Sequence, residues 1–146
     1  VLGSKYPKRF QMVSVGEDPA FAKEKPPWLN YAMNNSREDM AKLMRQIDIW
    51  IIASYTEGLG RMTLEAMSSG CAIVATSTNA EFLVHNENCL LVEPGDINGM
   101  SKAVESLYLD KALKERLIEA SYQTAVTNSN PKEYVKSWEK LIGDLF

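Results

Sequence analysis

This 146-residue chain predicts an α/β fold built on a doubly wound, mostly parallel sheet. Three observations carry that prediction. Strand-type and helix-type runs alternate along most of the chain in the order β-β-α-β-α-β-α-β-α-α-α, and such alternation builds parallel sheets. Two strand runs, Ile49-Trp50-Ile51-Ile52-Ala53 and Cys71-Ala72-Ile73-Val74-Ala75-Thr76, are continuously apolar, the pattern of strands covered on both faces. Between them a strand, a Gly-x-Gly turn and a helix-forming run follow one another directly. That arrangement aims unpaired backbone N–H groups at an anion.

The elements follow in order. Phe10 to Val15 is a short β-type run stopped by Gly16. The polar segment Glu17 to Pro27, with Pro19, Pro26 and Pro27, reads as a loop. Trp28 to Ala32 is a weak second strand. Ser36 is placed to cap a helix over 37–47, with Glu38 and Asp39 in its first turn and Met40, Leu43, Met44 and Ile47 at helical spacing. The central strand is 49–54, and a helix over 61–69 ends at Gly70, a natural residue to follow a helix. The strand 71–76 comes next, then a short helix over 80–85, which carries the lone His85 at the surface. A short strand over 89–92 follows. Asp96 caps a helix at about 97–108, and Asp110 a further one to about residue 126. Asn130-Pro131 opens a last helix with Tyr134, Val135, Trp138, Leu141 and Ile142 on one face.

Composition narrows the function classes. The length is about one domain's worth. A net charge of −3 gives no electrostatic footing for nucleic acid. Cys71 and Cys89 make neither a metal spacing nor a redox motif and read as free thiols, Cys71 in the core. No run approaches the roughly 20 apolar residues of a membrane span. Val1 is not a start methionine, which marks a fragment or a processed chain.

The densest chemistry lies in Glu57-Gly58-Leu59-Gly60-Arg61-Met62-Thr63-Leu64-Glu65. Two carboxylates flank a turn suited to phosphate. Carboxylates repel phosphate but accept hydrogen bonds from neutral hydroxyls. A ligand with phosphate in the middle and hydroxyls at both ends fits, and a nucleotide-sugar is such a ligand. Plainer readings stand beside this one. Glu65 is placed to pair with Arg61 at i,i+4, Glu57 suits a helix dipole, and Gly58 and Gly60 make a turn.

Ser54 to Gly60, continued by Leu64-Glu65-Ala66-Met67-Ser68-Ser69-Gly70-Cys71-Ala72-Ile73-Val74-Ala75, closely resembles the donor-binding signature of retaining GT-B glycosyltransferases of the group 1 family (family 4). Glu57 and Glu65 match its E-x7-E spacing. Glu87-Asn88-Cys89-Leu90-Leu91-Val92-Glu93-Pro94-Gly95-Asp96 resembles its E-N-G-L-L-V-x-P-G-D segment. The similarity runs from about residue 9 to the C-terminus.

The resemblance implies a single, partial Rossmann-like domain over 1–146 that binds UDP- or GDP-sugar, the acceptor-binding domain being absent. Glu57 is the catalytic candidate, contacting hydroxyls of the donor sugar. Glu65 holds the ribose. Gly58, Leu59, Gly60, Arg61 and Met62 surround the diphosphate and sugar, and the base lies beyond a strand ending near Tyr31–Met33. No metal and no cofactor other than the donor is implied. The partners are a nucleotide-sugar and a glycan or lipid-linked acceptor. The location is cytoplasmic, with peripheral membrane association of the full-length protein.

Several positions depart from the family pattern. Its V-G-R-x-x-x-x-K-G loop, whose Arg and Lys grip the diphosphate, has no match here. Arg61 and Met62 stand where an apolar pair is usual, and Thr78-Asn79-Ala80 where a Gly-Gly loop is usual. Cys89 replaces a turn glycine, and the segment after Gly16 is too short for the usual helix. These departures keep a second reading open, a noncatalytic nucleotide- or partner-binding module. An epimerase or phosphorylase of the same fold fits less well, because the basic residues that handle phosphate are missing.

Overall fold

The computed structural model describes residues 10–16, 19–27, 29–33, 36–56, 60–78 and 81–130, together with 132, 135, 136, 139, 140 and 142. The chain forms two compact units, Val1–Leu43 and Met44–Phe146.

In the first unit, β1 (Met12–Gly16) and β2 (Leu29–Met33) pair in parallel, with Met12 opposite Leu29 and Gly16 opposite Met33. Between them lies a helix, α1 (Pro19–Glu24), where a loop was expected. Pro19 does not break it because it stands at the first helical position, where its fixed φ helps and its missing N–H costs nothing. The segment after Gly16 is therefore long enough for a helix. In α2 (Arg37–Met44) Ser36 caps as predicted: its Oγ accepts from the Asp39 N–H (3.1 Å) and donates to Asp39 Oδ2 (2.7 Å). The helix stops three residues short of the predicted end. The Ile47 N–H bonds back to the Met44 carbonyl (3.1 Å), a tightened i→i−3 closure.

The second unit carries a parallel sheet of order β3-β4-β5, made of Ile49–Ile52, Ala72–Thr76 and Leu90–Val92. It also holds helices α3 (Arg61–Ser68), α4 (Ile97–Leu109) and α5 (Lys111–Asn128). All five residues of β4 are buried, as its apolar run predicted, and α3, α4 and α5 all contact it. Met67 of α3, Leu107 of α4 and Leu117 and Ala125 of α5 complete the core. The Asp96 carboxylate accepts from the Gly99 N–H (2.8 Å) and that of Asp110 from the Leu113 N–H (2.9 Å), so both predicted caps start their helices. Gly70 follows α3 at φ +84, in the left-handed region.

Two expectations change. β3 ends at Ile52 and is not covered on both faces: it is an edge strand of its sheet, with Ile51 40% exposed. Glu81 to His85 forms turns and a bridge, not a helix. The buried Asn88 side chain takes the local backbone instead. Its Oδ1 accepts from the Val84 N–H (2.8 Å) and its Nδ2 donates to the Phe82 carbonyl (2.8 Å) and Thr124 Oγ1 (3.0 Å). Of the expected last helical face, Tyr134, Trp138 and Leu141 lie outside the described residues, and Val135 and Ile142 are exposed.

Candidate functional site

The site is built where β3 hands over to α3, at the carboxyl end of a parallel strand. Two residues beyond Ile52, the Ser54 carbonyl accepts hydrogen bonds from the hydroxyls of Thr76 and Thr78 (3.3 Å for the latter). The exit of β3 is thus tied to the exit of β4. On the other side of the same segment, the Ser77 N–H donates to the Val92 carbonyl (2.8 Å), which ties β4 to β5.

Gly60 is the residue before α3. It is buried and left-handed, with φ 62 and ψ 47, a conformation that costs an L side chain about 1–2 kcal/mol. Among the described residues no side chain caps the helix. The N–H groups of Thr63 (2.8 Å) and Leu64 (3.1 Å) both bond the Gly60 carbonyl. Those of Arg61 and Met62 precede the first intrahelical bond. No acidic residue lies in the first turn, so within the helix itself nothing offsets the positive end of the dipole, which suits an anion.

Glu65 lies roughly 7.5 Å along the axis from Gly60 at the usual helical rise. It stands on the exposed face of α3, while Thr63, Leu64, Ala66 and Met67 are buried. The i,i+4 pairing with Arg61 is present at 3.5 Å, with both side chains well exposed. Such a solvated pair contributes only a few tenths of a kcal/mol. Met62 is also exposed. The structure therefore brings Gly60, Arg61, Met62 and Glu65 together at one helix end. Glu57, Gly58 and Leu59 lie outside the described residues.

An open depression of about 560 Å3 lies past the ends of β4 and β5, away from the α3 N-terminus, and is lined by Ser77, His85, Leu91, Val92, Glu93, Asp96 and Gly99. Its side chains include two carboxylates and no Lys or Arg, so it does not suit a phosphate. His85 is exposed, as expected, and its Nδ1 accepts from the Leu91 N–H (2.9 Å), which assigns the proton of the neutral ring to Nε2. Both cysteines are free and buried. Burial, aided by the Asp48 charge, pushes the Cys71 thiol up to about 11, and burial alone pushes Cys89 up to about 12. Among the described residues no three His, Cys, Asp or Glu side chains converge, and no helix is long and apolar enough to cross a membrane.

The sequence reading missed the Thr76–Ser54–Thr78 tie. Its one visible signal was a hydroxyl at the end of an otherwise apolar strand.

Residues 4–110 match the family described as "Glycosyl transferases group 1". The chain belongs to this family. Among its relatives is the lipopolysaccharide core biosynthesis glycosyltransferase LpsE of Rhizobium meliloti, 30% identical over 92 residues. That match takes in 62% of this chain and 27% of the relative, so the chain spans about a quarter of that protein's length. The solved C-terminal domain of the group 1 protein LpcC from Francisella tularensis is 27% identical, with a TM-score of 0.76 over 88% of this chain and 73% of that one. HepE from Anabaena, solved in complex with UDP, shares the fold at 18% identity, with a TM-score of 0.83 over 97% of this chain and 43% of that one. The expected glycosyltransferase fold, an α/β arrangement with parallel sheets, is thereby established for this group 1 chain.

Proposed function

We propose that the chain is the nucleotide-sugar-binding half of a retaining hexosyltransferase whose donor is a UDP- or GDP-sugar. One observation carries the reading: the α3 N-terminus, opened by the left-handed Gly60 at the carboxyl end of β3, has no acidic residue in its first turn and an exposed Glu65 just beyond it. The N–H groups of Arg61 and Met62 suit the diphosphate, and the Glu65 carboxylate suits the vicinal hydroxyls of the ribose. Glu57, as the catalytic candidate, accepts from hydroxyls of the transferred sugar, with Gly58 and Leu59 beside it. Catalysis here is positioning, together with stabilisation of the departing diphosphate by helix N–H groups. The donor is the only small molecule the reading requires.

Residues 1–146 act as one partial Rossmann-like domain, and the acceptor, a glycan or a lipid-linked saccharide, is held elsewhere in a longer, cytoplasmic, peripherally membrane-associated protein. The polysaccharide-related name of LpsE and the UDP complex of HepE support this assignment. This chain by itself transfers no sugar, since the basic loop that grips the diphosphate has no counterpart in it.

The test is product stereochemistry. The full-length gene product, given UDP- or GDP-hexoses and saccharide acceptors, should yield a glycoside whose anomeric configuration by NMR matches that of the donor. Inversion would overturn the retaining assignment, and turnover by residues 1–146 alone would overturn the division of labour. The Arg61–Glu65 ion pair favours a second reading, a noncatalytic module in which Glu65 is already partnered. Nucleotide binding without turnover by the full-length protein would select it.

A further inference from the structure

We infer that Thr76, assisted by Thr78, is a positioning residue for the sugar-binding end of the donor site. The inference rests on the donor-site reading above and goes beyond it, because neither threonine is part of the Glu57–Glu65 segment.

Thr76 is 2% exposed, at the end of a strand whose other members are all apolar. A buried hydroxyl costs stability unless it is hydrogen-bonded, and Val would fill the same space in a strand at no such cost. The hydroxyl is used: it reaches across to the Ser54 carbonyl, 22 residues earlier in the chain. Ser54 lies past the last β3–β4 register pair, Ile52 with Ala75, so the ladder itself no longer guides it. Thr78 adds a second hydroxyl to the same oxygen.

The backbone of Thr76, meanwhile, is in register with Val92 of β5, and the Ser77 N–H holds the Val92 carbonyl. The 76–78 segment is therefore fixed from the β5 side and transmits that fix to Ser54. Only Tyr55 and Thr56 separate Ser54 from Glu57. The α3 end is anchored differently, by the buried Thr63, Leu64, Ala66 and Met67. Loss of the tie should therefore act on the Ser54–Thr56 segment, and through it on the sugar contacts proposed for Glu57, while the Gly60–Glu65 end stays in place. That separates contacts to the sugar from contacts to the nucleotide.

The experiment is calorimetry on the full-length gene product with UDP, UDP-glucose, GDP and GDP-mannose, for wild type, Thr76→Val, Thr76→Ser and Thr78→Val. With the matching base, Thr76→Val should bind the free nucleotide within about twofold of wild type and the nucleotide-sugar about tenfold more weakly, the scale of one hydrogen bond. Thr76→Ser should recover most of that loss. Thr78→Val, at an exposed site with no folding risk, should lose about threefold, for the sugar-bearing ligand alone. An equal loss for nucleotide and nucleotide-sugar, or no loss in either valine variant while wild type binds, would overturn this inference and leave the donor-site reading intact. Wild type that binds none of the four ligands would overturn the donor-site reading and this inference with it.

Discussion

Asn88→Ala should be among the most damaging single substitutions in the second unit, out of proportion to the small side chain removed. Asn88 is 6% exposed and makes three hydrogen bonds through its amide, to the Val84 N–H, the Phe82 carbonyl and Thr124 Oγ1. At about 1 kcal/mol net for each, their loss amounts to about 3 kcal/mol. The cost could rise further because the Val84 N–H and the Phe82 carbonyl lose partners that no neighbouring helix or strand replaces. The damage should be local in origin and global in effect, since the 82–88 turns join α5 through Thr124 to the bridge at Cys89. Urea unfolding followed by circular dichroism is the assay, with the shift in midpoint at constant slope giving the loss. Two companions separate causes. Thr124→Val removes one of the three partners and should cost about 1 kcal/mol. Asn88→Asp keeps the acceptor for Val84 but sets a carboxylate oxygen against the Phe82 carbonyl, so it should not rescue the fold. A cost below about 0.5 kcal/mol for Asn88→Ala, the scale of an ordinary surface change, would refute the reasoning. It would mean that the buried Leu83 and Cys89, and not the amide, shape these turns.

Three further outcomes follow from the same geometry. Gly60→Ala should destabilise the chain by about 1–2 kcal/mol in urea unfolding, because φ 62 is unfavourable for an L side chain; no measurable change would refute the left-handed assignment. Arg61→Ala should change stability by less than about 0.5 kcal/mol, since its ion pair with Glu65 is solvent-exposed, and a larger loss would show a structural role for the pair. Stability should fall as pH rises above 9. The thiols of Cys71 and Cys89 have an ordinary value of 9.0 and are held in the folded chain up to about 11 and about 12. Above pH 9 the unfolded chain therefore loses thiol protons that the folded chain keeps, and stability present below 9 is lost towards 11–12. A Cys71→Ala/Cys89→Ala variant should show a flatter decline than wild type in melts from pH 8 to 11; equal slopes would contradict the buried-thiol account.

The features legible in the sequence were those set by neighbouring residues. β4 was visible as an apolar run because it is buried along its whole length, and α4 and α5 were visible because Asp96 and Asp110 cap them directly. Gly60 and Glu65 were visible for the same reason: a turn glycine and a carboxylate five residues on form a local pattern. What was missed depends on distant partners or on position within a turn of chain. Pro19 counts towards a loop in the polar segment Glu17 to Pro27, although at the first helical position it starts a helix. The 81–88 turns depend on a side-chain amide that also reaches α5, and no periodicity reports such a bond. The half-exposed β3 follows from its place at the edge of the sheet, a property of topology that its apolar composition does not reveal. The Thr76–Ser54 contact spans two strands, and the hydroxyl that makes it stands alone in the sequence.

The central claim is that Glu65 grips the nucleotide beside the open end of α3. Its most direct test is calorimetry of UDP and GDP binding to the full-length gene product and to its Glu65→Ala variant. Glu65 is exposed, so the variant should fold with unchanged stability. Loss of hydrogen bonds to a charged acceptor, worth about 1.5–3 kcal/mol, should weaken binding of the preferred nucleotide by roughly 10- to 100-fold. Wild-type affinity in the variant, within about twofold, would contradict the account and leave Glu65 as no more than the surface partner of Arg61.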